Sequence, residues 1–333
     1  MEQKLKDLYL SYSGHACTSI CALPASGSSR KYYRLMDQEK SCIGVYHEDL
    51  RENRLFLDFT FHFLQRGLPV PQVYCVSKDE KMYLQRDLGS QMLLNVIESS
   101  RESTQLSEYI IQLYKKILHE LIRFQLIGGE GLDYSRCLPR PIFDTRCMRW
   151  DLNYFKYCFL KLIGVGLDEE LLENDFDVLI RQLGRVETDC FMFRDFQSRN
   201  IMVLNDDVYF IDYQGGRRGA LHYDVASLLY DAIVKIPETQ REELLDYYIQ
   251  ELSIHKKVNH KEFQTEYYHF VLIRLLQALG AFGLRGLYEK KQHFIDSIVP
   301  ALQEVSRLLE NQREILRYPE IERAIKNALN VVK

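Results

Sequence analysis

Three residues in the middle of the chain have the types and spacing that a phosphoryl-transfer site needs. Asp195 is followed five positions later by Asn200, and Asp212 stands at the end of the next strand-like run. Phosphoryl transfer needs a carboxylate that aligns and deprotonates the attacking hydroxyl, and oxygen ligands that hold Mg²⁺ against the phosphates. Asp195 suits the first task, and Asn200 and Asp212 suit the second. The pattern therefore predicts a kinase.

The segments around these residues indicate how they come together. The loop 193–200 leads into an apolar run, 201–204, and a polar turn separates that run from a second one, 208–211. This pattern is typical of a β-hairpin. In kinase catalytic loops the four residues between Asp and Asn turn both side chains into one cleft, and the hairpin then brings Asp212 beside them. The alternative is that the Asp and Asn of the loop only cap local turns.

An upstream segment joins a turn of small residues to an extended basic run. Ser28 and Ser29 lie in the turn, where small side chains let backbone N–H groups approach a phosphate closely. In the extended part a period of two places Arg30 and Arg34 on one face, where guanidinium groups can meet anionic oxygens. Taken alone, the segment is typical of an ordinary hairpin turn with a basic surface. Beside a kinase-like hairpin, we interpret these four residues as nucleotide-binding.

Asp224 stands near the start of a predicted helix, in the segment 222–229. An acid in the first turn of a helix is explained by capping or by the helix dipole, without any further function. We expect Asp224 to brace the catalytic loop.

Composition argues against several other classes of protein. The 333 residues include 43 basic and 47 acidic side chains, a net charge of −4, which argues against a dominant role in binding nucleic acid or anionic membranes. We find no apolar run of transmembrane length, and the first residues do not resemble a signal peptide. The expected location is the cytoplasm, where the eight cysteines are reduced thiols. Cys17 and Cys21 lack a second pair at zinc-site spacing.

The coarse pattern predicts an α+β chain in two parts. Up to about residue 89, apolar runs at 41–46 and 82–85 indicate strands, and 55–65 indicates a helix that ends at Gly67. From residue 90 onward helical spacing dominates, so that the catalytic hairpin lies within a mostly helical part. We place the boundary at a short hinge, 83–90.

The motifs at 193–203, 210–214 and 223–229 resemble those of the aminoglycoside phosphotransferase-like kinases. Within that family the chain is most similar to the bacterial anomeric kinases of N-acetylmuramate and N-acetylglucosamine, a likeness that extends to 25–34, to Asp87-Leu88-Gly89 and to 274–280.

The resemblance implies a two-lobed, protein-kinase-like fold with a small, mainly antiparallel N-terminal lobe and a larger helical lobe. ATP would bind between the lobes with its adenine against Arg86 to Leu88, and Mg²⁺ at Asn200 and Asp212. The substrate would be an amino sugar phosphorylated at its anomeric hydroxyl, for use in cell-wall recycling. The choice between ATP and GTP and the oligomeric state stay open.

Two positions depart from the pattern of related kinases. Phe193 stands where many have a histidine, so bracing of the loop by an imidazole is absent. The strand 43–46 lacks the lysine that reaches the nucleotide phosphates, which leaves Arg30 or Arg34 as its replacement. Glu52 and Asp58 are both candidates for the helix acid that pairs with this cation.

Two other functions fit parts of the sequence. An aminoglycoside- or choline-type kinase would need acids for a cationic substrate, and the segment 150–161 offers Asp151 alone. A nucleotide-binding pseudokinase or scaffold would explain the missing lysine, but the intact Asp195, Asn200 and Asp212 argue against it. The aromatic residues of 150–159 are expected to be core, with a sugar-binding platform as the alternative.

Overall fold

The structure, a computed structural model, describes residues 1–24, 30–38, 40–100 and 104–332. The turn that contains Ser28 and Ser29 lies outside the described residues, so their predicted contact with phosphate stays a prediction.

The N-terminal lobe is built on an antiparallel sheet. Its strands follow the order β1-β2-β3-β5-β4. The lobe consists of α1 (Glu2–Ser13), β1 (Ser19–Ala22), β2 (Lys31–Met36), β3 (Ser41–Tyr46), α2 (Leu50–Gln65), β4 (Val73–Val76) and β5 (Met82–Arg86). The strands predicted at 41–46 and 82–85 are therefore present, β5 being one residue longer.

The two faces of the sheet belong to different cores because side chains alternate along each strand. Leu35 and Leu84 pack with Leu5 of α1 in a small separate cluster. Val45 and Tyr83 point to the opposite face and join the large core that includes α2. The second face is therefore the one that looks toward the helical lobe.

Helix α2 begins five residues before the predicted start at Leu55. Asp49 caps it, since its carboxylate accepts hydrogen bonds from the backbone N–H groups of Arg51 and Glu52. The first turn is polar, so hydrophobic spacing did not reveal it. The predicted end is correct: Gly67 follows the helix with φ of 65°.

The C-terminal lobe is mostly helical, with short strands that carry the loops of the cleft. It consists of α3 (Leu93–Ser99), α4 (Glu108–Arg123), α5 (Thr145–Phe155), α6 (Glu169–Leu183), β6 (Cys190–Met192), β7 (Ile201–Leu204), β8 (Asp207–Phe210), β9 (Arg217–Gly219), α7 (Leu221–Leu229), α8 (Glu238–His255), α9 (His260–Phe282), α10 (Gln292–Asn311) and α11 (Pro319–Val331). Strand β6 pairs with β9, and β7 pairs with β8. The predicted α+β class, with a small antiparallel sheet and a larger helical part, is confirmed.

Helices α5 and α9 approach each other so closely that glycine is required between them. A Cβ atom on Gly280 would lie 2.8 Å from the carbonyl carbon of Tyr154. Gly283 meets the backbone of Cys158 in the same way. Substituting either glycine therefore requires the two helices to separate.

The segment His260–Tyr288, α9 and its π-helical continuation, is long and apolar enough by composition to span a membrane. In the folded protein, 61% of its most apolar window is buried. This burial is that of a core helix in the C-terminal lobe. The sequence contains no uninterrupted apolar run of this length, because Glu266 and Arg274 interrupt the apolar residues.

The lobes meet through a backbone hydrogen bond from Phe210 N of β8 to Pro69 O at 2.9 Å. Just after the hinge, within the C-terminal lobe, Val203 N donates to Gln91 O at 2.8 Å, and Met92 forms an isolated bridge with Met202. The predicted division at residue 89, with a hinge at 83–90, stays a prediction.

Candidate active site

The predicted hairpin is formed by β7 and β8. The strands pair antiparallel, with Ile201 opposite Phe210. Asn205 and Asp206, at the turn, have φ of 52° and 62°, the left-handed values that two-residue hairpin turns demand. The hairpin places Asp212 immediately after the strand that lies against the catalytic loop.

Asp195, Asn200 and Asp212 meet at one point of the cleft. Asn200 Nδ2 donates to the backbone O of Asp195 at 2.8 Å and lies 3.4 Å from Asp212 Oδ2. Ile211 N donates to the backbone O of Asn200 at 3.1 Å, which joins the loop to the end of the hairpin. The Asp195 side chain is exposed and makes no hydrogen bond within the described ranges. The geometry thus leaves its carboxylate free for a ligand.

Asp212 is held in a left-handed backbone conformation, with φ of 63° and ψ of 34°. Its Oδ1 accepts a hydrogen bond from Gln214 Nε2 at 2.6 Å. Loss of solvent within the cleft raises the pKa of Asp212, and the negative charge of Asp195 raises it further. A cation at this point would relieve both effects.

The two candidate metal ligands do not form a complete cage. In the described part of the chain, no group of three or more His, Cys, Asp or Glu side chains could hold a metal ion. Mg²⁺ commonly takes one or two protein oxygen ligands and completes its shell with phosphate and water. The carboxylate of Asp212 and the amide oxygen of Asn200 fit that mode of binding.

Asp224 braces the catalytic loop, as predicted. Its carboxylate accepts hydrogen bonds from the backbone N–H groups of Phe193 at 2.7 Å and Arg194 at 3.0 Å. The side chain is fully buried, and burial raises its pKa to about 7. The brace therefore depends on a carboxylate that has no cationic partner in the described structure.

A second brace, Asp231, was not identified from the sequence. Its Oδ2 accepts from Ser198 N at 3.1 Å and from Ser198 Oγ at 2.6 Å. Asp231 lies beyond the end of α7, two residues after Leu229, so helical spacing gave no signal for it. The catalytic loop is thus fixed to α7 and to the residues that follow it.

Phe193 takes a structural role at the position where related kinases carry histidine. Its ring packs against Phe124, Phe196 and Phe210 with centroid distances of 5.0, 4.9 and 6.0 Å. An aromatic cluster thus stands where an imidazole would brace the loop.

Arg194 lies beneath the loop with φ of 79°. Its Nη2 donates to Asp151 Oδ1 at 2.6 Å, and its Nη1 donates to the hydroxyl of Tyr223. Burial tends to lower the pKa of Arg194, but the negative charge of Asp151 outweighs it and the pKa is raised. Asp151, considered as an acid for a cationic substrate, is therefore engaged by an arginine of the chain itself.

On the nucleotide side, Arg30 pairs with Glu52 of α2 at 3.4 Å. The guanidinium group is 3% exposed and lies over the ring of Phe56 at 5.7 Å. Asp58, the other candidate acid, pairs with Arg136 instead. Of the two acids considered for the strand-to-helix ion pair, the geometry selects Glu52.

Arg34 and Arg86 both engage residues at the junction of the lobes. Arg34 makes two hydrogen bonds to the carboxylate of Asp87, at 2.7 and 3.0 Å, and one to the backbone O of Gly89. Arg86 Nη1 donates to the hydroxyl of Tyr209 on β8 at 3.2 Å. Arg34 and Arg30 therefore pair with different acids. The hydrogen bonds of Arg34 hold it to Asp87 and Gly89, and they give no support to the predicted contact of Arg34 with phosphate. The nucleotide contacts of Arg86 and of the buried Leu88 stay predictions.

A column of aromatic rings connects the sheet to the metal-ligand segment. Phe56 stacks on Tyr83 and on Tyr213, both with centroids 5.1 Å apart. The hydroxyl of Tyr213 lies 2.6 Å from Thr60 Oγ1. Helix α2 is therefore coupled to the residue that follows Asp212.

The aromatic segment 150–159 is only partly core. Phe155 and Phe159 are fully buried, as expected, whereas Trp150 and Tyr157 are 45% and 58% exposed. The expectation of core packing is wrong for these two side chains because α5 and the π-helical turn that follows it, 156–160, each bury one face only.

The sequence matches the model of the phosphotransferase enzyme family over residues 20–256. An N-acetylmuramate/N-acetylglucosamine kinase of Pseudomonas aeruginosa is 27% identical over 233 residues, which is 68% of this chain and 64% of that protein. The chain thus spans slightly less than two thirds of that relative. A kinase of the same name from Pseudomonas putida is 19% identical over 96% of this chain and 93% of its own.

Solved structures with the same architecture include two small-molecule kinases. Amicoumacin kinase hAmiN, in complex with AMP-PNP, Ca²⁺ and Ami, superposes with a TM-score of 0.64 over 91% of this chain and 92% of its own, at 12% identity. Choline kinase LicA from Streptococcus pneumoniae gives 0.61 over 93% and 99%, at 15% identity. These similarities establish a two-lobed, protein-kinase-like fold, as predicted.

Proposed function

Because the chain belongs to the phosphotransferase enzyme family and is a kinase, we propose that it transfers the terminal phosphoryl group of ATP to the anomeric hydroxyl of an amino sugar. The substrates proposed are N-acetylmuramate and N-acetylglucosamine, the sugars in the names of its relatives. The product, a sugar 1-phosphate, would then be used by a nucleotidyltransferase in cell-wall recycling.

The observation that carries this proposal is the meeting of Asp195, Asn200 and Asp212 in one cleft. Asp195 has an exposed carboxylate on a loop that the carboxylates of buried Asp224 and partly buried Asp231 hold in place. Such a group aligns the acceptor hydroxyl and takes its proton as the oxygen attacks phosphorus. The rigidity of the loop keeps the carboxylate at one position, which lowers the entropic cost of alignment.

Asn200 and Asp212 are the residues proposed to hold Mg²⁺. The hydrogen bond from Asn200 Nδ2 to Asp195 O fixes the amide and leaves its oxygen free for a metal ion. Bound there, Mg²⁺ would neutralise charge on the nucleotide phosphates.

Arg30 is proposed to take the place of the missing strand lysine. Its guanidinium lies over the ring of Phe56, which stacks on Tyr213, the residue that follows Asp212. The positive charge of Arg30 opposes the rise in the pKa of Asp212. Glu52 orients it from α2. An arginine offers two parallel donors to a phosphate, where lysine offers a point charge.

A phosphoryl-transfer screen over amino sugars, with the product identified by NMR, tests this function. We expect a phosphorus coupling to the anomeric proton of the product. Coupling to a ring position other than C1 would contradict the proposed regiochemistry. Turnover of choline or an aminoglycoside with neither amino sugar phosphorylated would contradict the proposed substrate class.

A further inference from the structure

Arg274, on α9, is a buried cation without a carboxylate partner in the described structure. It is 6% exposed. Its Nε donates to Ser227 Oγ at 3.0 Å, and its Nη1 donates to Gln277 Oε1 at 2.8 Å. Both partners are neutral, so the positive charge is solvated only by an alcohol and an amide. Burial of a guanidinium under these conditions is costly unless an anion joins it.

The position of Ser227 places Arg274 beside the catalytic loop. Phe193 and Arg194 bond to Asp224, and Ser198 bonds to Asp231, so the loop runs along α7 between these two acids. Ser227 lies between the same two acids on the chain. The positive charges of Arg274 and of Arg194 both oppose the rise in the pKa of buried Tyr223, whose hydroxyl accepts a hydrogen bond from Arg194 of the loop. The guanidinium of Arg274 therefore lies near the residue that precedes Asp195.

The same side of the cleft has a second arginine without a carboxylate. Arg217 is 7% exposed and bonds only to the backbone oxygens of Gly215 and Leu138, at 2.9 and 3.0 Å for its Nη2. Its strand pairs with β6, directly before the catalytic loop, with Met192 opposite Arg217. Arg217 and Arg274 thus lie near the loop without a carboxylate partner among the described residues, whereas Arg194 of the loop pairs with Asp151. A negatively charged group on the acceptor would supply the counterion that Arg274 lacks among the described residues.

We propose that Arg274, oriented by Ser227 and Gln277, recognises a carboxylate on the acceptor sugar and thereby selects an acidic amino sugar over a neutral one. The inference rests on the proposed function. N-acetylmuramate carries a lactyl carboxylate that N-acetylglucosamine lacks, and a guanidinium binds a carboxylate through two parallel hydrogen bonds. Arg274 is thus a specificity-determining residue and takes no part in the chemical step.

Steady-state kinetics of Arg274→Met with both sugars provide the test. Loss of a charge-assisted hydrogen-bonded pair corresponds to about a 10- to 100-fold decrease in kcat/KM for N-acetylmuramate. The decrease for N-acetylglucosamine should be much smaller, and the KM for ATP should not change. Equal decreases for both sugars, or no decrease for N-acetylmuramate, would overturn the inference.

A second variant tests the idea with Arg274 in place. Gln277→Glu keeps the acceptor oxygen but supplies a competing carboxylate, so kcat/KM for N-acetylmuramate should fall selectively. Gln277→Met is the matched control that removes the amide without adding charge, and Thr265→Glu adds the same charge about 18 Å away along α9. If Thr265→Glu reproduces the selective loss, the effect is long-range charge and the inference is wrong.

Failure of the inference can be distinguished from failure of the proposed function. Wild-type protein that phosphorylates both sugars, with variants that do not alter their ratio, overturns the role of Arg274 alone. Wild-type protein that phosphorylates neither sugar overturns the proposed function and this inference with it.

Discussion

Charged residues on the two sides of the cleft are neutralised in different ways. On the nucleotide side, Arg30 pairs with Glu52 and Arg34 pairs with Asp87, so each cation has a carboxylate from another element. The acceptor side is the side proposed to bind the sugar, with Asp224 and Arg274. There Asp224 accepts hydrogen bonds from backbone N–H groups, and Arg274 donates to Ser227 and Gln277. Arg194 with Asp151 is the exception there.

The difference indicates that the two sides respond differently to pH and to ligands. An ion pair holds both groups in their charged forms, whereas an isolated buried charge is stabilised by whatever neutral dipoles surround it. On the nucleotide side, carboxylates of the chain itself neutralise both arginines. On the acceptor side, the balance of charge depends on the protonation of Asp224 and on the charge of the proposed substrate.

Asp195→Asn should have the largest effect on turnover. Asp195 lies where the nucleotide side and the acceptor side meet, and its substitution leaves the other residues of both sides in place. Removal of a general base corresponds to a loss of about 10²- to 10⁴-fold in kcat. The melting temperature should stay close to that of the wild type, because the Asp195 side chain makes no hydrogen bond within the described residues. A coupled ATPase assay and thermal denaturation measure the two quantities.

Asp207→Asn, on the exposed edge of the hairpin, is the matched control for Asp195→Asn. Near-wild-type turnover by Asp195→Asn would show that the base is elsewhere.

The pH dependence of Asp224 examines the acceptor side. Its pKa is raised from the ordinary 3.8 to about 7, so between about pH 4 and pH 7 the folded protein retains a proton that the unfolded chain has released. The contribution of Asp224 to stability therefore falls as pH rises through this window. The free energy of unfolding of the wild type should decline relative to Asp224→Asn, by at most about 1.4 kcal/mol per pH unit.

Urea unfolding of the wild type and Asp224→Asn at several pH values between 4 and 8 measures this difference. Other titrating groups cancel in the comparison. Parallel stability profiles for the two proteins would mean that Asp224 is already ionised at pH 4.

Glu52→Gln examines the nucleotide side, where it removes the partner of Arg30. A lost charge-assisted interaction corresponds to about a tenfold decrease in kcat/KM for ATP. The KM for the sugar should change little. Asp58→Asn is the matched control, because it breaks an exposed pair on the same helix, and such pairs contribute little. Equal effects of the two variants would argue against a role for Arg30 at the phosphates.

Tyr213→Phe should have the smallest effect. It removes the hydroxyl that bonds to Thr60 and leaves the stacking on Phe56, which corresponds to about 1 kcal/mol of unfolding free energy. In a double-mutant cycle with Thr60→Val, measured by urea unfolding, the two effects should be less than additive. Additive effects would mean that the hydroxyl pair does not link the lobes.

The sequence predicted best those features that are formed by residues close together in the chain. The loop, its hairpin and Asp212 lie within 20 residues, and turn chemistry over such short distances is specific. Asp224 was recognisable because its place at a helix start follows from local spacing. The pairing of Arg194 with Asp151 was not, since 43 residues separate them.

Other features depended on packing that periodicity does not encode. The polar first turn of α2, capped by Asp49, was missed because helical periodicity was sought in apolar residues. The exposure of Trp150 was missed because aromatic spacing does not tell which face of a helix is covered. The choice of Glu52 over Asp58 needed the three-dimensional arrangement of β2 and α2.

The contact between α5 and α9 has a consequence for transferring specificity between related kinases. Arg274 lies six residues before Gly280, the position where α9 touches the backbone of Tyr154, and Asp151 lies three residues before Tyr154. The short segment 274–280 therefore contains both the proposed binding group and the contact that sets its distance from α5. Grafting the arginine alone onto a choline kinase scaffold should not transfer recognition of a carboxylate, whereas grafting the whole segment transfers both the charge and the geometry.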